Sequence, residues 1–487
     1  MTMPTRRDRP SAARALAAAA CAVAALGGCM MGPDYTRPQI DTPGTFRFEP
    51  PGAADTVDTA WWKQFGDPVL DALIAEALAN NLNVKVAAAN VDQAQAILTQ
   101  TRAPLYPQVG YSGTAERART TASDALPAPL RPPNPQTAYQ ALLSASWEID
   151  LWGRIRRQSE AAYANVLASE DAKNGVILTL VTSVATTYVT LRGLDEQLEI
   201  AKSTLSTYGE SVRLYQLQFR YGQTSQMTVS QAQSQYETAA VQIPLIEQQI
   251  AQNENALSVL VGRNPGPIRR GKSIYDLAVP AIPAGLPSQL LERRPDLMQA
   301  EQQLVAANAQ IGAAKALYFP TISLTGALGS ASTELANLFT GPARVWNYAG
   351  QFAGPIFTGG AISGQVAQAS AAQQAALENY RYSVQSAFAD VDNALVAAVK
   401  VKQQLAAQER LVAALADYAR LARLQFTGGY TSYTTVLQAE QTLFPAQLQL
   451  ASLRATVFTS AANTYKSMGG GWVDLAGKLT QGAAVAE

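Results

Sequence analysis

From Tyr139 to Leu151 the chain alternates. Tyr139, Ala141, Leu143, Ala145, Trp147, Ile149 and Leu151 are apolar, and Gln140, Ser144, Ser146, Glu148 and Asp150 lie between them. Successive side chains on an extended strand point to opposite faces, so this pattern predicts a strand with one face in an apolar medium and the other in water. A looser alternation runs through Trp346, Tyr348, Phe352 and Ile356, separated by Asn347, Ala349, Gln351 and Ala353. Each of these strands is preceded by another that starts after a proline, near 108–114 and 321–328.

Elsewhere the period changes. Between about Ile155 and Phe219 there is no proline, and apolar residues recur at steps of three and four: Ile177, Val181, Val184, Tyr188, Leu191, Leu194, Leu198, Ala201, Leu205, Tyr208, Val212, Tyr215, Phe219. This is a coiled-coil seam on a rod of about 65 residues, roughly 100 Å long at ~1.5 Å per residue. The stretch from about Ala361 to Phe426 is equally long and proline-free. Ordinary globular helices run about 8 to 20 residues, so such rods do not fold into a compact domain. Each rod reverses at a glycine turn, Gly222 or Gly428-Gly429, and returns to about Gly262 or Gly469. Each return helix holds one proline, Pro244 or Pro445, which predicts a bent or divided helix.

The two halves are copies of one unit. Phe219-Arg220-Tyr221-Gly222 answers Phe426-Thr427-Gly428-Gly429, and Ser225, Val229, Gln231 and Ala232 answer Ser432, Val436, Gln438 and Ala439. Leu105-Tyr106-Pro107 answers Tyr318-Phe319-Pro320. The repeats set the boundaries. The first covers 67–262, with strands near 105–117 and 137–151, and the second covers 288–469, with strands near 318–331 and 345–357. A linker, 263–287, joins them, and segments 29–66 and 470–487 flank them.

Four amphipathic strands cannot cross a membrane alone, because every backbone polar group in lipid needs a partner and a sheet must close on itself. The smallest membrane barrels have about eight strands. Two copies would give eight, with an interior filled by side chains, and three would give twelve and leave a lumen. The predicted fold class is therefore an α+β membrane protein in which four transmembrane strands and long coiled-coil helices, in two repeats, join those of further copies in a closed β-barrel.

Composition narrows the function. Arg6, Arg7, Arg9 and Arg14 precede an apolar run from Ala15 to Leu26, which reads as a secretory signal over 1–28. Leu26-Gly27-Gly28-Cys29 resembles the lipobox of bacterial lipoproteins, with Cys29 as the lipidated residue, carrying diacylglycerol and an acyl chain. Removing the signal takes four of 37 basic and one of 37 acidic residues, leaving 33 against 36, with no basic footprint for nucleic acid. Histidine is absent and neither cysteine remains free on this reading, so we expect no metal site, no other cofactor and no enzyme chemistry.

A specific resemblance then appears. Leu286-Pro287-Ser288-Gln289-Leu290-Leu291-Glu292-Arg293-Arg294-Pro295-Asp296, continuing through Asn308-Ala309-Gln310-Ile311-Gly312-Ala313-Ala314-Lys315-Ala316 to Phe319-Pro320, is similar to the hallmark of the outer membrane factor family. Cys29-Met30-Met31-Gly32-Pro33-Asp34-Tyr35, Asp150-Leu151-Trp152-Gly153-Arg154 and Gly469-Gly470-Gly471-Trp472 fit the same family. The resemblance is strongest to the lipoprotein channels of resistance–nodulation–division efflux pumps. It implies a homotrimer in the outer membrane, a trimeric twelve-stranded β-barrel on a twelve-helix α-barrel, that passively conducts drugs or other small molecules. Its partners would be a periplasmic adaptor, an inner-membrane transporter and outer-membrane lipid. The Arg-Arg-Pro-Asp stretch reads as a helix start with structural ion pairs.

The resemblance also places a gate. Relatives of the OprM type carry a Leu and, four residues later, an Asp on the second return helix, and the three Asp side chains close the tunnel. Here those positions are Thr434 and Gln438, and the equivalent of Gln438 in the first copy is Gln231. No acid occurs in 211–236 or 418–439, while Arg213, Arg220, Arg420 and Arg423 do. Three amides cannot hold a multivalent cation as three carboxylates can, so weak cation selectivity or a preference for anions is expected, with little block by multivalent cations. Gly222, Gly428, Gly429 and Arg220 mark the hairpin tips where an adaptor would dock. Two rival readings share the long helices: a protein-secretion duct serving an ABC exporter, and a structural coiled-coil lipoprotein with no pore.

Overall fold

The computed structural model describes residues 30–48, 60–119, 134–281 and 290–470; Cys29 and the signal, residues 49–59 and 120–133, the hallmark's Leu286–Gln289 and residues 471–487 lie outside them. The described elements are α1 (Pro68–Asn80), α2 (Leu82–Arg102), β1 (Gln108–Ala118), β2 (Gln136–Ile149), α3 (Arg154–Arg220), α4 (Gln226–Leu260), α5 (Pro295–Ala316), β3 (Thr321–Ser332), β4 (Arg344–Ala353), α6 (Ala361–Thr427) and α7 (Tyr433–Ser467). Two compact units emerge, one of 1–38, 92–167 and 301–379, the other of 39–91, 168–300 and 380–487. They cut across the sequence repeats, because each long helix contributes to both.

In the first unit the strands form one antiparallel meander in the order β1-β2-β3-β4. The register sorts the side chains into rows. Tyr111, Leu143, Leu328 and Trp346 stand opposite one another, then Val109, Ala145, Gly326 and Tyr348, then Ile149, Ile322 and Phe352. Opposed residues share a face, so the bulky apolar side chains gather on one side. The other face holds Gly110, Ser144, Ala327 and Asn347, then Gln108, Ser146, Thr325 and Ala349. It is not wholly polar, since Leu142 and Val345 fall on it through Gly329. Within this chain no strand among the described residues pairs with the outer edges of β1 and β4.

The second predicted strand of each pair ends earlier than expected. β2 stops at Ile149, and β4 stops at Ala353 before Gly354-Pro355, leaving Ile356 outside the strand. Proline lacks the N–H that a ladder needs.

The second unit is helical. Its core packs Trp61, Phe65, Leu70 and Ile74 against Val181, Val184, Tyr188 and Leu191 of α3 and Phe458 and Tyr465 of α7. Trp61 stacks on Tyr465 at 5.2 Å. The seam read from the sequence is the buried side of α3, apart from its last member, Phe219, which is exposed. The return helices are not divided: α4 and α7 each run 35 residues with the proline inside. Packing compensates for the missing hydrogen bond, because Ile243 and Ile246 flank Pro244 and Phe444 precedes Pro445 in one core cluster.

Candidate functional site

The repeat reappears as two matched helix splices in the second unit. In the first, Asn81 joins the end of α4 to the start of α2. Its Oδ1 accepts from Asn83 and Val84 N–H at 2.9 and 3.2 Å, and its Nδ2 donates to Leu260 O at 2.8 Å. Gly262, at φ +81°, closes α4 beside Asn80, where a Cβ would lie 2.5 Å from the carbonyl oxygen. In the second splice Arg294 occupies the corresponding place. It donates to Ser467 O at 3.1 Å and Ala387 O at 3.4 Å, and pairs with Asp296 and Asp390 at 2.7 and 3.1 Å. Gly469, at φ +76°, packs on Arg293 in the same way. The hallmark Arg-Arg-Pro-Asp is thus an intrachain joint, and its ion pairs are structural. Its counterpart Asn80-Asn81 carries no comparable motif, and nothing in the chain's pattern signals its role.

In the first unit residues 30–38 lie as a strap along α5. Asn308 Nδ2 donates to Pro33 O at 3.0 Å, and Glu301 accepts from Tyr35 and Arg37 at 3.1 and 2.8 Å. Arg157, 2% exposed in its side chain, donates to Met31 O at 3.0 Å and pairs with Asp34 and Glu160 at 2.7 and 2.8 Å. Met30 ends against Gly153, where any side chain would overlap it.

At the hairpin ends, Gly222 and Gly429 close α3 and α6 in the left-handed region, at φ +71° and +77°. Gly428 has no positive φ, and a Cβ there would press on the Tyr430 ring at 2.9 Å. Thr434 and Gln438 are exposed one turn apart on α7, whereas Gln231 is half-buried. Arg220 is exposed.

The expectation of tip arginines without carboxylates needs correction. Arg420 pairs with Asp417 at 2.7 Å, and Arg423 pairs with the buried Glu440, its Nε at 2.8 Å. Both acids sit one residue outside the acid-free window 418–439. The i, i+3 spacing of Asp417 and Arg420 was a readable signal. The Arg423–Glu440 pair spans the hairpin and was not.

Beneath that pair Tyr215, Phe426 and Tyr433 pack as an aromatic cluster, with Tyr215 and Tyr433 centroids 4.4 Å apart. Burial, and then the Glu440 carboxylate, push the Tyr433 hydroxyl up to about 12. Burial likewise raises Tyr208 and Tyr215. The folded tip favours neutral phenols. Its contribution to stability is therefore complete below the ordinary tyrosine value of about 10, and is lost as pH rises through about 12. Tyrosinate absorbance should show these groups titrating late, and hairpin loosening should follow that titration. Tip loosening already complete below pH ~10 would contradict this assignment.

The family model described as outer membrane efflux protein matches residues 73–263 and 286–470, once in each repeat. The probable efflux pump outer membrane protein TtgC of Pseudomonas putida strain KT2440 is 36% identical over 94% of this chain and 96% of its own. The probable outer membrane lipoprotein SilC of Salmonella typhimurium is 36% identical over 92% and 97%. A crystal structure of CusC, described as concerned with transmembrane channel formation, superposes with a TM-score of 0.82 at 32% identity, covering 91% of this chain and all of that one.

Proposed function

The chain belongs to the outer membrane efflux protein family, and from that premise we propose how it works. It is the outer-membrane channel component of an efflux pump and conducts small molecules passively to the exterior. The observation that carries the mechanism is the two-faced sheet with two open edges. Three copies, each pairing its β1 edge with the β4 edge of the next, close a twelve-stranded barrel with the Leu143 rows toward lipid and the Ser144 rows toward water. The helical hairpins continue the duct. A periplasmic adaptor docks at the tips around Arg220, Gly222, Gly428 and Gly429. Energy comes from an inner-membrane transporter of the resistance–nodulation–division type. Cys29 carries the lipid. Single-channel recording of purified trimer in planar bilayers tests the duct directly; a stable monomer, or a trimer without conductance, would refute it.

Gate chemistry follows from the tip. Thr434 and Gln438 offer hydroxyls and amides, and two of the four arginines per chain are neutralised by Asp417 and Glu440. Arg213 and Arg220 have no carboxylate partner among the described residues. The unmodified channel should therefore show weak cation selectivity and little block by multivalent cations from the periplasmic side. Gln438→Asp should create that block by supplying three carboxylates. Arg420→Ala should shift selectivity towards cations, because it leaves Asp417 uncompensated. Strong block of the unmodified channel would overturn the assignment.

A further inference from the structure

We propose that Arg102 and Lys315 form a binding ring for phospholipid headgroups at the periplasmic rim of the barrel. The inference rests on the outer-membrane barrel and adds a site to it.

The two residues are repeat equivalents, each in the last turn of the helix that feeds a strand: α2 into β1 and α5 into β3. Both lie six residues before the first strand residue, Gln108 or Thr321. Both are exposed, and neither has a carboxylate partner among the described residues. The other basic residues of this rim are used internally: Arg154 by Glu148, Arg156 by Asp150 and Arg157 by Asp34 and Glu160. Duplication has therefore kept one uncompensated cation at the same place in each copy.

The surroundings indicate what the cations meet. Above them begins the apolar face of the sheet, with Ile149, Ile322 and Phe352 as its first row. Trp147, on that same face, donates its indole N–H to Leu105 O at 3.0 Å, which ties the approach to β1 to the apolar side. Tyr106 and Tyr318 stand exposed beside the cations, as amphipathic aromatics do at headgroup depth. The Arg102 guanidinium lies 6.0 Å over the Tyr163 ring, which holds the charge without neutralising it. Lys315 follows Asn308 by one heptad and Gly312 by three residues, on the face of α5 where the strap lies. The strap meets α5 at Gly312, one turn from Lys315.

A cation at a helix C-terminus also interacts favourably with the helix dipole. That role predicts a loss of stability and no change in lipid binding, so the two are separable. With two sites per chain and three copies, the trimer offers six. Each basic residue near an anionic lipid contributes about fivefold in affinity.

Native mass spectrometry of detergent-solubilised trimer titrated with phosphatidylglycerol tests the ring. The wild type should retain up to six lipids. Arg102→Gln and Lys315→Gln should each weaken half of the sites about fivefold, and the double variant should weaken all of them. Arg102→Lys with Lys315→Arg should restore binding, and Lys402→Gln on α6 should leave it unchanged. Excess inorganic phosphate should displace little, because a lone ion has no acyl chains to lie on the apolar rows. Undiminished lipid affinity in an intact double-glutamine trimer, or full displacement by inorganic phosphate, would overturn the proposal. Should the double variant not assemble, the single variants decide in the same way. Conductance of these trimers reports on the duct separately.

Discussion

Replacing Arg294 by alanine should lower the dissociation temperature of the trimer. The side chain joins four groups: the end of α7 through Ser467 O, the middle of α6 through Ala387 O, and the carboxylates of Asp296 and Asp390. The carboxylates are half-exposed, 53% and 52%, so water takes over much of their solvation and the ion pairs contribute little. The carbonyls matter more. Ser467 O, in the last turn of α7, has no helical donor, and leaving it unpaired costs about 1–3 kcal/mol per chain, whereas Ala387 O inside α6 keeps its own helical donor. Arg294→Lys should recover only part, because one ammonium cannot serve groups on three sides as the guanidinium fork does. Asp296→Asn should cost much less. Asn81→Ala should resemble Arg294→Ala, since it removes a helix cap of about 0.5–2 kcal/mol as well as the donor to Leu260 O. Thermal dissociation followed by light scattering measures all four. An Arg294→Ala trimer as heat-stable as the wild type would show that the splice is held by packing alone.

The same joint marks how far the chain's pattern could be read. Helix lengths, seam and strands were legible because they rest on periodicity, and periodicity survives local irregularity. The hallmark motif was recognisable as a word, but its physical role needed the fold. Arg294 bonds residues 93 and 173 positions away, and its first-copy counterpart is an asparagine with no resemblance to it in type. The tip failed for a related reason. Scanning a window for acids treats the helices singly, whereas Arg423 finds Glu440 across a hairpin. Windows end at arbitrary residues; ion pairs do not. Within the sheet, alternation revealed the facing but concealed Leu142, which belongs to the inner face by register.

Leu143→Arg should abolish trimer assembly in the membrane, and Ser144→Arg should not. The two residues are neighbours on β2, so backbone propensity and distance from the strand ends are nearly the same for both. They differ in facing. Leu143 stands between Tyr111 and Leu328, with Trp346 beyond, whereas Ser144 stands between Gly110 and Ala327, with Asn347 beyond. The apolar face from Tyr139 to Ile149 spans ten residue steps, about 33 Å along the strand and roughly 25 Å after a tilt of ~40°. Leu143 is near the middle of that band, where an arginine costs about 2–4 kcal/mol. All three copies carry the substitution, so the closed barrel loses roughly 6–12 kcal/mol, a large fraction of the stability of an ordinary domain. On the other face Ser144→Arg meets water and small neighbours, so its three added cations should leave the trimer heat-dissociable as before and shift conductance towards anions. Assembly is read from heat-dissociable trimers in membrane extracts, and selectivity from reversal potentials in planar bilayers. Normal trimers from Leu143→Arg together with failed assembly of Ser144→Arg would invert the two faces, and with them the lipid-facing surface on which the headgroup ring depends.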